Sequence, residues 1–443
     1  MPKPIKQMRL ITLLALGASL ISGCSNSSDK TTAQEQTAAP VPTEQAARED
    51  VTLRFAWWGS ENRHKALLAA IDAYTAKNPH VQIEAEYSGF DGYYEKLVTQ
   101  LAGGTAPDLT PLSFDWIDEI AVKGDLTIDW YEQKDNVNLD AFDSGFLEKY
   151  TVVNGKLVGL PMGINGMVTA YSKPFFDKYG IEESSDWDWE KIHETGVKVH
   201  EQDPEAYLLA QLDVRGFLQP YVAQLTGGQW INEDKTPGFT AGQLEQAFAY
   251  YKQLLDDGVL QPLAQSSLYP EITENPAWQQ GKIGAVFGLA STLSKLKSFN
   301  PDIDVASYPV PADAKASGVV VNPSNPLALN RASKHPGEAA KFASWLLTDP
   351  EAAEILMDVY SVPPVKANAD LLAGKGLIDS TVVKAVELAL TNPGDPVNGI
   401  SGNQELSKLA EDYLQQVGFG QLEPRAAAEG LITRLNDKLK DIE

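Results

Sequence analysis

The sequence predicts an α/β fold, with mostly parallel sheet covered by helices, in a chain long enough for two sizeable domains. Three observations carry this reading. Strand-like and helix-like segments alternate in the order β-α-β-α-β from residue 51 to residue 110. Residues 51–443 supply enough chain for two hydrophobic cores. Cys24 is the only cysteine, so no intramolecular disulfide can form and the core alone must hold the fold.

Each element has a local cause. Val51–Trp58 alternates apolar and polar residues and is rich in β-formers, and Gly59-Ser60 breaks it. Residues 63–77 carry helical spacing through Leu67, Leu68, Ile71 and Tyr74, and stop at Asn78-Pro79. Residues 81–87 alternate again, Ser88-Gly89 turns the chain, and Tyr93–Ala102 is a second helix ended by Gly103-Gly104. A third strand opens at Asp108. Beyond it helices are expected over 189–201, 241–256, 336–347, 350–360, 381–390 and 404–418, with strands over 159–171, 283–287 and 304–309. Residues 424–442 place Ala428, Leu431, Ile432, Leu435 and Leu439 on one side, which reads as a docked helix. There is no internal repeat.

The formal net charge is −24, and a surface of that sign repels nucleic acid and anionic lipid. No nucleic-acid partner, metal or cofactor is expected. Lys3, Lys6 and Arg9 precede an apolar run over 10–20 that is short for a membrane span, and residues 25–50 are a polar, Pro- and Ala-containing stretch that reads as a flexible tether. Between them, Leu20-Ile21-Ser22-Gly23-Cys24 resembles the lipobox of bacterial lipoproteins. That resemblance implies a signal peptide over 1–23, acyl chains (palmitate among them) on Cys24, a tether over 24–50 and a place on the extracytoplasmic side of the cell membrane. Each buried CH2 contributes about 0.8 kcal/mol, so several chains make a stable anchor.

Four stretches, taken in order, resemble the extracellular solute-binding proteins of sugar ABC transporters, the family related to maltodextrin-binding protein. They are Trp57-Trp58-Gly59 ahead of a helix; Gly103-Gly104-Thr105-Ala106-Pro107-Asp108 ahead of a strand; Gly155-Lys156-Leu157-Val158-Gly159-Leu160-Pro161 followed by Tyr171-Ser172-Lys173-Pro174-Phe175-Phe176; and Gly281-Lys282-Ile283-Gly284-Ala285. The resemblance implies a two-lobed periplasmic-binding-protein-like fold, each lobe a mostly parallel sheet flanked by helices, joined by hinge strands. It places the first lobe over 51–165 and 312–358 and the second over 166–311 and 359–443. Crossings are expected near 165–169, 308–311 and 359–364. The implied function is capture of an oligosaccharide by hinge closure and delivery to the permease subunits of an importer, by a monomeric receptor that is not an enzyme. The opening Trp-Trp-Gly-Ser with Arg63-His64 is also similar to a subgroup associated with plant cell-wall and pectic oligosaccharides.

A sugar ring offers apolar C–H faces and a rim of hydroxyls, so its site needs flat aromatics and forked polar groups. Candidate aromatics are Trp58, Tyr87, Phe90, Tyr93, Phe114, Trp116 and Trp230. Candidate polar groups are Ser60, Glu61, Asn62, Arg63, His64, Asp115, Asn165, Asp213 and Arg215, with Gly288 allowing close approach. Ligands of open α/β sheets lie beyond the carboxyl ends of strands, which here fall at residues 57–64, 87–90 and 113–116. Strand alternation sends Trp57 and Trp58 to opposite faces, with Trp58 expected to be the exposed one. Asp108 is expected to fix a turn and Asp188 to cap a helix with Trp189 packed behind it. His193, His200 and His335 are expected to be solvated, and Trp278 to be core.

The sequence also departs from the family. Maltodextrin binders carry acidic residues where this chain aligns Asn165 and near Arg215, and an aromatic where it has Leu289-Ala290-Ser291. A uronate-containing ligand is therefore weighed beside neutral sugars. The rival class is a secreted glycoside hydrolase or lyase, since carboxylate pairs abound in an acidic chain. No Gly-x-Ser-x-Gly, His-Glu-x-x-His or P-loop motif is present, and residues 232–236 match a calcium loop poorly because Pro237 holds the glycine position. The same fold binding a peptide, polyamine or metal chelate is a third reading, disfavoured by the supply of aromatics.

Overall fold

A computed structural model describes residues 49–113, 116–117, 120–121, 126–183, 187–269, 271–440 and 442. Cys24, the leader and nearly all of the tether lie outside them. The first βαβαβ run is β1 (Val51–Trp58), α1 (Glu61–Lys77), β2 (Val81–Ser88), α2 (Tyr93–Ala102) and β3 (Leu109–Pro111). A small hairpin, β4 (Val152–Val153) and β5 (Lys156–Leu157), precedes the long β6 (Gly163–Ser172). β7 (Tyr207–Leu209), β8 (Ile283–Leu289), β9 (Ile303–Ala306), β10 (Val321–Ser324) and β11 (Leu327–Leu329) follow, separated by helices.

These strands form two main sheets. In the first, of order β11-β3-β1-β2, β1 is parallel to β2 and β3 while β11 is antiparallel to β3. In the second, β10 and β9 both pair with β6, β8 lies antiparallel to β6, and β7 runs parallel to β8. Each sheet has its own core. Leu53, Phe55 and Trp57 face one apolar layer and Ala56 and Trp58 face another, so both sides of β1 are covered. The larger core behind the second sheet takes in Val168, Trp189, Phe217, Phe248 and the helices from residue 369 onward.

Local chemistry accounts for the helix ends. Asp188 accepts from the Lys191 N–H and Trp189 is buried behind it. Thr240 and Gln243 form a capping box at the start of the helix Ala241–Asp256. Asp108 accepts from the Arg54 N–H at 2.8 Å and the Ser333 hydroxyl at 2.6 Å, anchoring the entry to β3. The histidines expected to be solvated are not exposed. His193 lies 2.7 Å from the Asp257 carboxylate, and His200 Nδ1 donates to the Ala206 carbonyl at 3.2 Å.

The chain passes between the two sheets three times. First, Leu160 and Met162 lie in the core of the first sheet and Ile164 in that of the second. The second passage is not at 308–311. Tyr308, Val319 and Val321 are buried in the second core, and the Lys315 N–H donates to the Gln224 carbonyl, so the chain leaves only between β10 and β11, at Asn325-Pro326. The expected boundary at residue 312 therefore moves to about 325, where Asn325 takes a left-handed φ of 47°. Third, Tyr360 and Val365 belong to the first core while Val362 and, from Ala369 onward, the following helices belong to the second. The passages touch: Gly163 pairs with Ser324, Ile164 bridges Val362, and a Cβ on Gly163 would run into the Tyr360 carbonyl oxygen.

Candidate ligand-binding site

Both sheets present polar and aromatic groups at the carboxyl ends of their parallel strands, where open α/β sheets hold ligands. On the first sheet, β1 and β2 run out together and the Gly59 N–H donates to the Ser88 carbonyl at 3.1 Å. Beyond that bond come Ser60, Glu61 and Asn62 on one side and Gly89 and Phe90 on the other, all exposed apart from half-buried Gly59 and Ser88. The Ser60 hydroxyl makes no capping bond and stays open to a ligand.

Aromatic rings are layered here. Phe90, 54% exposed, stacks on Trp116 at 5.7 Å with planes 13° apart. Beneath them Trp58 contacts Phe90, Tyr93 and Trp116. Tyr87, 47% exposed, stacks on Trp57 at 5.2 Å and lies 4.6 Å from the His64 ring. Two sequence expectations are overturned. Trp58 is 6% exposed, because α2 and the segment after β3 cover its face of the sheet. Tyr93 is buried too; its phenol bonds Thr110 at 2.7 Å, and burial pushes its pKa far above the usual tyrosine value. Both residues are the floor that orients Phe90 and Trp116, leaving the open ring faces to Phe90 and Tyr87.

The cations expected here are engaged. Arg63 donates Nε and Nη2 to the Val359 carbonyl at 3.1 and 2.9 Å and Nη1 to the Trp58 carbonyl at 3.1 Å. Burial lowers its pKa from the usual arginine value. The Trp57 indole N–H can only donate, so His64 Nδ1 is its acceptor at 3.0 Å. Phe114 and Asp115 lie outside the described residues.

On the second sheet, a cavity of about 480 Å³ opens past the ends of β7 and β8 and is lined by Gln211, Asp213, Tyr269, Glu271, Gly288 and Ser291, among others. Asp213 caps the turn 214–218, accepting from the Gly216 N–H at 2.5 Å, and this turn carries Arg215 out into solvent. Arg215 has no hydrogen bond or ion pair among the described residues, and Lys295 at the cavity wall pairs with Glu271 at 2.9 Å. Asn165, from β6, reaches Ser291 at the cavity's edge. Trp230 is a further correction: it is buried against Phe239 and borders a different cavity, of about 190 Å³, beside Gln219 and Ser401. Tyr269, Glu271 and Lys295 carry no local sequence signal. Only the fold brings them to Asp213.

The match to known proteins decides the family. The sequence profile described as "Bacterial extracellular solute-binding protein" matches residues 58–353. The chain belongs to this family. Among solved structures, a periplasmic solute-binding protein of Pectobacterium atrosepticum is 29% identical, over 88% of this chain and 99% of its own, with a TM-score of 0.74. A periplasmic oligogalacturonide-binding protein of Yersinia enterocolitica is 25% identical with the same coverages. Its TM-score is 0.69 for the complex with saturated digalacturonic acid and 0.76 for the structure whose description names no ligand. A designed cysteine esterase is also similar, 25% identical over 89% of this chain and 99% of its own, with a TM-score of 0.81. As a solute-binding protein of this family, the chain has two lobes joined by hinge strands. Among the described residues, no helix is long and apolar enough to cross a membrane, and no group of three or more His, Cys, Asp or Glu could hold a metal ion.

Proposed function

We propose that this solute-binding protein captures an oligosaccharide between its lobes, closes on it about the three passages and hands it to the permease of an ABC importer, while acyl chains on Cys24 tether it to the membrane. The observation that carries the reading is the pair of open ring faces, Tyr87 and Phe90, each backed by fixed aromatics at the carboxyl end of the first sheet. The cavity at the end of the second sheet, with Gln211, Asp213, Tyr269 and Ser291 among its lining, supplies the opposing half. Sugar contacts to both halves exist only when the lobes close, and that difference in affinity drives closure.

A uronate-containing plant oligosaccharide is the ligand class this reading favours. The Yersinia likeness supports it, and Arg215 is the cation left to read a carboxylate once Arg63 and His64 are engaged. Cysteine-based hydrolysis like that named for the designed esterase has no residue to use, since the sole cysteine is Cys24.

A thermal-shift panel tests the proposal, because a ligand that binds only the native state raises the midpoint. Di- and trigalacturonate are expected to raise it and to be recovered uncleaved. A rise with neutral oligosaccharides alone would remove the uronate; cleavage products would overturn the receptor.

A further inference from the structure

One side chain of the first lobe hydrogen-bonds the backbone of the third passage. Arg63, in the first turn of α1, places two N–H donors on the Val359 carbonyl, 296 residues away, and a third on the Trp58 carbonyl. Its guanidinium carbon lies 4.2 Å from the centroid of the Tyr360 ring. The Tyr360 hydroxyl is buried and has no hydrogen-bond partner among the described residues, so its ring, and not its hydroxyl, is what fixes it. On either side, Met357 and Ser361 take left-handed φ angles of 49° and 78°, conformations that non-glycine residues hold only under outside restraint. On the far side the restraint comes from the backbone of β6 at Ile164: the Ser361 hydroxyl donates to its carbonyl at 3.0 Å, and its N–H donates to the Val362 carbonyl at 2.8 Å. The passages also border a cavity of about 420 Å³, lined by Phe146, Tyr150, Ile164, Val362 and Pro364, so close packing does not fix their position on that side.

The position of Arg63 gives this contact a functional sense. One residue before it are Asn62 and the exposed start of α1; a Cβ on Gly59 would lie 2.5 Å from its Cδ. The strand end that meets ligand and the passage that must turn during closure therefore share one guanidinium. We infer that Arg63 is a positioning residue that couples the first half of the ligand site to the hinge, setting the balance between open and closed forms before ligand arrives. The inference rests on the receptor reading, since only a closing receptor uses that balance.

Lobe separation without ligand tests it directly. In a Cys24→Ser chain, spin labels at Asp72→Cys on the first lobe and Lys198→Cys on the second report the distance distribution. Arg63→Met is expected to broaden that distribution or add a second population, and Arg63→Lys to restore it in part. Met357→Gly, which accepts the left-handed backbone and removes an exposed side chain, is expected to broaden it as well and serves if Arg63→Met does not fold. A roughly tenfold shift in the competent population changes apparent affinity by up to the same factor. Digalacturonate titrated into the labelled chains reads this separately, so lack of sugar binding would undo the ligand assignment while leaving the coupling measured. Distributions in Arg63→Met and Met357→Gly that superimpose on the unsubstituted chain would overturn the inference, whatever happens to the melting temperature.

Discussion

Asn165 and Ser291 hold each other by two reciprocal bonds: the Asn165 amide donates to the Ser291 hydroxyl at 2.8 Å and accepts from the Ser291 N–H at 3.1 Å. The same Asn165 oxygen also accepts from the Gly166 N–H. This ties the start of the second lobe's longest strand to the rim of the cavity around Asp213. Asn165→Ala is expected to cost about 0.5–1.5 kcal/mol of stability, since water can replace bonds this exposed. It should weaken uronate binding less than Asn165→Asp, whose carboxylate keeps an acceptor for the Gly166 and Ser291 N–H groups but adds a negative charge at the cavity rim. Denaturant melts and calorimetric titration of the two variants check this.

Binding and stability should separate cleanly among the aromatics. Phe90→Ala and Tyr87→Ala remove exposed ring faces and are expected to weaken sugar binding about two- to twelvefold each with little change in melting temperature. Trp58→Ala removes a buried floor and should cost about 3–5 kcal/mol in folding. Equal loss of stability in all three would mean that Phe90 and Tyr87 are packing residues.

Gly163 is a stability determinant with no side chain. Its missing Cβ makes room for the Tyr360 carbonyl, a backbone atom that cannot swing aside. Gly163→Ala is expected to destabilise the protein by about 1–3 kcal/mol, measured by urea unfolding. Gly281→Ala is a poor control because its φ is 67°. Gly242, whose Cβ would meet nothing, is a good one.

Glu411 supplies a pH dependence of known sign. Burial, then the nearby Asp213 carboxylate, raises its pKa above the ordinary value, against the bonds from the Val214 N–H and the Gln415 amide. The folded state thus holds this proton to higher pH than the unfolded chain does. Ionised Glu411 weighs against folding at neutral pH, and the penalty lifts as pH falls through the folded pKa toward the unfolded one. Glu411→Gln, whose amide oxygen can still accept from Val214, is expected to melt higher than the parent at pH 7. The gap should shrink as pH approaches about 4. A gap that stays constant over that interval counts against the assignment.

Where a segment's structure is decided by its neighbours in sequence, the chain is easy to read. The helices Tyr93–Ala102, Ala241–Asp256 and Gln404–Gly418 fall on their expected residues, the last two because Thr240 and Asn403 cap them. Trp58 was misplaced for a physical reason: alternation along a strand tells which side chains share a face, but not whether that face is open, and a parallel sheet is covered on both. The expected second passage at 308–311 fails because Tyr308 is buried in the second core and its hydroxyl donates to the Gly216 carbonyl, 92 residues away, a contact that no local pattern reports. Tyr87 and Phe90 stand exposed where the alternation over 81–87 and the Ser88-Gly89 turn place the carboxyl end of a strand. The partner of Asn165 lies 126 residues away and that of Arg63 lies 296 away, and no local pattern reports contacts of that span.

The exposed rings of Tyr87 and Phe90 sit at the end of one sheet and the cavity around Asp213 at the end of the other, each backed by its own core, so the two halves of the proposed ligand site are built independently. A substitution at Tyr269 or Lys295 has no reason to disturb the rings at Phe90, and the reverse holds as well. If both halves hold ligand as proposed, ligand choice can drift one half at a time while the other half is left as it was. For anyone recombining such receptors, the seams to cut are the three passages, and a chimaera that keeps Gly163, Asn325 and Ser361 together should inherit two specificities that never had to be selected jointly.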